Sequence, residues 1–560
     1  MTRLRSALLA LALVLLGISA SAALDREAFT FTNYALDLRI EPQQQRLAIR
    51  GKVTLRNDSA LPQRVVVLQI SSSLTWRSIR AEGKPVQFLS QTYTSDIDHT
   101  GALSEAIVTL PHPVAPKAST ELEIGYEGVI AGDATRLTRM GAPEDVARHS
   151  DWDQIARDFT ALRGIGYVAW YPVAMEAQNL SDGDAMFRAL GKWKARHAAS
   201  TLKLLLTADA AAAADLFTLV CNGESTPISA DSPGPAPCAF SPIGNAVPVL
   251  FLGAYDLTET EHLRLFHQRE HPATLETYAA AAAEATALVT TWFGPPRRKA
   301  VLVELADDGA APYEAANLLA LPLAHNDATM AKGLLAHQLT HAALASPRLW
   351  IYEGLAHFAQ ALVLEQQSGR EAAQTYLGLH RAVVLQAEKD GSQALTDATD
   401  ETLYRSKAAL VWWMLRDLAG EEALKQALHA YKPEQDETPR YFENLLPACS
   451  RRDLGWFFQD WVYSDAGLPD FRIESVNTRK MTAESYVTAI TVENLGGAAA
   501  EVPVIVHSQQ GDFTETIEVY GKAKAVIRVS TPGEPLEVRV NDGRVPETDL
   551  SNNTFKIKVP

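Results

Sequence analysis

His337-Gln338-Leu339-Thr340-His341, followed after eleven residues by Glu353 within Leu349-Trp350-Ile351-Tyr352-Glu353-Gly354-Leu355-Ala356, decides how this chain is read. Histidines four apart project from one face of a helix, so both imidazoles can grip a single zinc ion. A carboxylate from the next helix supplies a third ligand and leaves a fourth position open for water. The candidate ligands of Zn2+ are therefore His337, His341 and Glu353. One position departs from the hydrolytic form of the pattern: Gln338 stands where H-E-x-x-H carries its general-base glutamate. Histidines at this spacing also arise by chance in helices, and the competing reading has them packing within a helical bundle.

Working outward, the motif lies in a strongly helical region. Thr274 to Phe293 is rich in alanine, lacks proline and glycine, and stops at Gly294-Pro295-Pro296. Further helical patterns run over 328–344, 349–367, 371–389, 404–418 and 421–431, with a single short strand expected at 300–305. Upstream, Tyr34, Leu36, Leu38 and Ile40 alternate with other residues, as do Leu122, Ile124 and Tyr126, which is the period of half-buried strands. Downstream of Leu468-Pro469-Asp470 the alternation returns at Tyr486, Thr488, Ile490 and Val492. The expected organisation is multidomain α+β: a signal segment over 1–22, an N-terminal β-sandwich over 23–262, a mostly α domain over 263–468, and a C-terminal β-sandwich over 469–560.

Whole-chain properties narrow the function. At 560 residues the chain exceeds one ordinary core and divides into several domains. A net charge of −16 argues against nucleic acid and anionic membrane as partners, because both require a basic surface. Arg3 and Arg5, the apolar run Ala7 to Ile18, and Ala20-Ser21-Ala22 together read as a secretory signal with a small-residue cleavage site. A signal anchor is the alternative, although the apolar run falls short of the roughly 20 residues a membrane helix needs. Export to a periplasmic or secreted location follows, with no transmembrane segment in the mature chain. Export permits disulfides, and Cys221 and Cys238 flank a Pro/Ser/Gly-rich loop that one could close, leaving Cys449 as a small apolar residue.

Leu349–Ala356 resembles, almost residue for residue, the W-L-x-E-G-F/L-A element that follows H-E-x-x-H in the M1 family of zinc aminopeptidases and related thermolysin-like peptidases. The flanks are similar too. Tyr34-Ala35-Leu36-Asp37-Leu38 with Gly51-Lys52-Val53-Thr54-Leu55-Arg56-Asn57 looks like the opening strands of that family, and Phe457-Phe458-Gln459-Asp460-Trp461-Val462 with Gly467-Leu468-Pro469 looks like the end of its catalytic domain. The resemblance implies a saddle-like N-terminal β-sandwich, a thermolysin-like zinc domain and an Ig-like C-terminal β-sandwich, without the large helical fourth domain of many members. It also implies Zn2+ as cofactor and a peptide or protein as substrate or ligand.

Departures from the family pattern bear on activity. The spacer between His341 and Glu353 is shorter than in standard members, which reads as a trimmed loop. In the family the motif glutamate takes a proton from the attacking water and passes it to the leaving amine. An amide can orient water but accepts no proton at neutral pH, and general acid–base assistance contributes about 10²–10⁴-fold. Gln338 thus removes roughly 3–5 kcal/mol of transition-state stabilisation. The family's amine-anchoring G-x-M-E-N element aligns loosely with Tyr313-Glu314-Ala315-Ala316-Asn317, which places Ala316 at the glutamate position, keeps Asn317 as a candidate substrate-binding residue, and makes Glu314 readable as an ordinary helix residue. Leu403 to Val411 is similar to the helix start whose tyrosine stabilises an oxyanion; Tyr404 is the candidate, one residue out of register, with simple packing as its alternative role. The function this implies is an exported zinc metallopeptidase of weak or lost activity. The alternatives are a non-catalytic peptide- or protein-binding pseudopeptidase that keeps its zinc, and a metal-free scaffold.

Overall fold

The structure is a computed structural model describing residues 24–557 apart from 210–216, 229–234, 269–271, 324–326, 389–392, 447–449, 451, 465 and 483. The secretory segment, the Ala210-to-Ala214 tract and Cys449 lie outside the described residues.

The alternating pattern near the N-terminus folds as expected. Along the strand Phe29–Glu41, Tyr34, Leu36, Leu38 and Ile40 are buried while Ala35, Asp37 and Arg39 face outward. This strand pairs antiparallel with Arg46–Asn57 and parallel with Thr201–Ala208 inside a seven-stranded sheet. A three-stranded sheet of Gln63–Ser71, Ala102–Val114 and Phe88–Thr94 shares its apolar core. The strand Leu250–Gly253 does not join this pair of layers. It lies in a separate five-stranded sheet with Phe217–Cys221, Glu224–Ile228, Phe159–Leu162 and Gln154–Ile155. A disulfide between Cys221 and Cys238 ties that sheet to the edge strand Ala236–Phe240 of the seven-stranded one. The stretch Met186 to Ala199, which by pattern could be helical or irregular, falls largely within a helix, Gly183–His197, packed on the first strand, whose Lys194 reaches Glu401 at 3.5 Å.

The middle of the chain holds more strand than its periodicity suggests. Besides Ala300–Glu304, a five-stranded sheet takes in Asp256–Glu259, Leu263–His267, Leu318–Leu321 and, at one edge, Tyr313–Ala315. Three parallel strands occupy its centre, and each edge strand runs antiparallel to its neighbour. Short, apolar strands buried on both faces carry no alternation, so Ala300–Glu304 alone stands out by composition. The helices Pro272–Phe293, Ala328–Ala343, Leu349–Ser368, Arg370–Ala387 and Ala408–Ala419 pack in one core with this sheet. The stretch before Ala408, expected as the start of a regular helix, is a π-helical turn, Thr402–Lys407. That same core continues into two C-terminal sheets, Phe471–Lys480/Ser485–Asn494/Lys524–Pro532 and Gly511–Val519/Ala500–Ser508/Pro535–Val540/Thr554–Lys556. Trp461 fixes the junction: its Nε1 donates to the Ala499 carbonyl at 2.8 Å, while Asp460 accepts the Ala499 N–H at 2.9 Å. Among the described residues, no helix is long and apolar enough to cross a membrane.

Candidate metal centre

The motif helix Ala328–Ala343 begins where Asp327 caps it, its carboxylate accepting the Met330 N–H at 2.8 Å. His337 and His341 then emerge one turn apart, both buried, with their Nε2 atoms 3.1 Å apart. Five residues after that helix the chain re-enters as Leu349–Ser368, so a short spacer is enough for the two helices to pack together. Trp350 anchors this second helix: its ring stacks on Trp412 with centroids 4.9 Å apart, and Trp412 Nε1 donates to its carbonyl at 3.0 Å. Gly354 allows the close approach, since a Cβ there would stand 2.6 Å from the Cβ of Ala408. Glu353, at the start of the second turn of this helix, is thereby aimed back at His341, Oε1 to Nε2 3.9 Å.

The structure adds a residue the sequence reading passed over. Glu314 is not in a helix. It sits on the edge strand Tyr313–Ala315, and its Oε1 lies 2.6 Å from His337 Nε2 and 3.1 Å from His341 Nε2. Gln338 Nε2 donates to this same oxygen at 2.9 Å. Among the described residues Glu314, His337, His341 and Glu353 could hold a metal ion, with one ligand atom from each lying within 4.8 Å of all the others. The fit has two supports. Ligands held at 2.0–2.1 Å around a tetrahedral ion stand about 3.3 Å from one another; His341 Nε2 stands 3.1 Å from both His337 Nε2 and Glu314 Oε1, with Glu353 Oε1 farther out at 3.9 Å. Gln338 Oε1 is buried without a hydrogen-bond partner, and Glu353 Oε2 is buried with only the Arg405 guanidinium beside it, 3.4 Å away, which marks the cluster as incompletely satisfied. Two imidazoles and two carboxylates form a donor set that suits zinc.

Charge organises the surroundings. Burial opposes the ionised form of Glu314, but His337 and His341 overcome it and hold the carboxyl well below its ordinary range. Burial likewise opposes charge on His337, and Glu314 outweighs it, raising that imidazole. Arg405 Nε stands 3.4 Å from Glu353, and its Nη2 3.7 Å from the outer oxygen of Glu314, so one guanidinium spans both carboxylates. Behind His337, its Nδ1 faces Gln360 Oε1 at 3.3 Å, and Tyr376 donates to that oxygen at 2.8 Å. His357 joins this wall through Tyr376, its Nδ1 3.1 Å from the phenol oxygen. Burial, then the neighbouring His337, holds the His357 imidazole well below its ordinary value, hence neutral.

A 290 Å³ cavity opens onto the cluster, walled by Glu314, Tyr352, Glu353 and Arg405 on one side and by Tyr167 and Lys194 of the N-terminal region on the other. Tyr404 also lines it. Burial, then Glu401, pushes the phenol well above its usual value, so it remains a donor. Ala316 lines the cavity in a left-handed conformation, φ 54°. Asn317 does not: its amide donates to the Lys299 carbonyl at 2.8 Å and serves the sheet.

No protein-family model matches the sequence, and no curated protein does. Among solved structures, a mutant M1 zinc metallopeptidase from Deinococcus radiodurans matches at TM-score 0.50 and 18% identity, covering 79% of this chain and 96% of that one. The M1 zinc metallopeptidase from Deinococcus radiodurans without the mutation matches at TM-score 0.48 and 16% identity, covering 78% and 94%. At 18% identity the first of these likenesses shows the fold alone: the chain has a fold similar to that of an M1 zinc metallopeptidase, and among its described residues a His/Glu cluster could hold a metal.

Proposed function

We propose that this protein is an exported, M1-like zinc-binding protein whose peptide hydrolysis is weak or lost. On this reading 23–262, 263–468 and 469–560 are its three domains, with Zn2+ held by His337, His341 and Glu353 in the middle one. Zinc bound there would supply a Lewis acid beside a cavity able to take a peptide. The chain's own residues furnish only part of the remaining chemistry. Tyr404 lines the cavity with a protonated phenol that is hydrogen-bonded to Glu401, and would have to turn from it to serve a developing oxyanion. The observation that carries the reading is the Gln338 N–H donated to Glu314 at 2.9 Å: where a general base must accept a proton, this side chain presents a donor.

A second reading, a pseudopeptidase that binds a peptide or protein without cleaving it, draws on the same observation and on the intact cavity. Metal analysis of the purified chain, paired with an assay on mixed peptides, separates the readings. A single zinc per chain with slow cleavage abolished by His337→Ala supports a weak peptidase. Zinc without cleavage supports the binding protein, and absence of zinc sinks both.

A further inference from the structure

We propose that Glu314 is a fourth protein ligand to the metal, delivered by the edge strand, and that Gln338 is the residue that holds it there. The inference rests on the metal-binding reading above and deepens its non-cleaving form, because a metal held by four protein ligands has no position for water or substrate. A general base acts across a water and so stands back from the ligand atoms. Glu314 Oε1 instead touches both imidazole Nε2 atoms, at 2.6 and 3.1 Å, closer than Glu353 Oε1 comes to His341 at 3.9 Å. No water fits between groups this close. The oxygen therefore lies where a ligand atom belongs. Its position is set from three sides: by strand register, Glu314 pairing with Leu319; by Arg405 beside its outer oxygen; and by the Gln338 amide, which donates to the inner one.

The proposal also accounts for Gln338. A glutamate at that position would set a second carboxylate about 3 Å from the first, a separation at which two like charges cannot both remain ionised. A neutral amide of the same shape turns that repulsion into a hydrogen bond. Glutamate at 314 and glutamine at 338 are thus chemically matched, and the substitution in the motif is the counterpart of a carboxylate brought in from elsewhere. Four protein ligands make a closed site of the structural kind, with no position left for a reacting group.

Cobalt substitution in the full chain tests this without recourse to activity. The wild type is expected to bind one Co2+ with a visible spectrum unchanged by azide, because no position is open to it. Glu314→Ala and the isosteric Glu314→Gln, checked for folding by circular dichroism, should keep the metal, bind it at least about tenfold more weakly, and shift their spectra when azide is added. A wild-type spectrum that responds to azide as the variants do, or Glu314 variants that bind cobalt as tightly as wild type, would overturn the proposal. Failure of the wild type to bind either cobalt or zinc removes the metal reading itself, and this one with it.

Discussion

The motif helix and the edge strand bring side chains to the same few ångströms of space by opposite routes. Along Ala328–Ala343 the two histidines meet because the helix repeats every 3.6 residues, so their spacing in the chain is their spacing in the fold. Glu314 reaches them from twenty-three residues before His337, through the register of a strand three residues long. Half of a candidate metal centre is thus written as a motif, while the other half is written only as topology. Glu314 also changes the meaning of the motif. Read alone, Gln338 is a lost base; read beside Glu314, it is a hydrogen-bond donor with a partner.

The comparison is most severely tested by removing the helical half. His337→Ala should abolish tight metal binding altogether, a loss of well over about 10³-fold, whereas Glu314→Ala only weakens it; equal losses measured by competition with a chelator would break the distinction. Next in size is a change far from both ligands. Gly191, in the helix Gly183–His197, would place a Cβ 1.9 Å from the Thr399 carbonyl, just before the segment that carries Glu401 and Arg405. Gly191→Ala should cost about 1–3 kcal/mol in thermal or denaturant unfolding, and should weaken metal binding if long-range packing positions Arg405. A variant that unfolds earlier yet binds metal unchanged would show that the ligand set stands without this support.

Gln360→Ala removes the acceptor facing His337 Nδ1 and leaves all candidate ligands in place. Outer partners of metal-binding histidines are typically worth about 10–100-fold in affinity, so titration should find zinc binding weaker by that factor. The smallest effect belongs to the strand. Ala316 tolerates φ 54° at a conformational cost that glycine does not bear. Ala316→Gly is expected to raise unfolding stability by about 0.5 kcal/mol with metal affinity unaltered, and a drop in stability would show that its methyl group packs more than it strains.

Much was legible in the residues themselves. The helices at 328–344 and 349–367, the alternating strands at either end, and the pairing of His337 with His341 follow from local periodicity, because side chains on one helix or one strand face keep fixed relations over short distances; Glu353 joined them only through the resemblance to a family motif, and helix packing is what aims it there. Three things were not. The edge strand Tyr313–Ala315 is too short and too lacking in alternation to announce itself, and so Glu314 read as one more helix residue. Asn317 matched a family pattern but turns into the sheet toward Lys299. The region up to 262 distributes its described strands over four sheets, Asp256–Glu259 joining the one that holds Ala300–Glu304, a choice made by which apolar faces find each other and not by any strand's own pattern.

The spacing of His337 and His341 and the alternation of the terminal strands depend on neighbours within a few residues, and so are written along the chain. Only the tertiary structure decided what Gln338 faces. Contacts between a helix and a distant strand depend on the packing of everything between them, and a hydrogen bond of 2.9 Å across that distance leaves no mark in the spacing of residues.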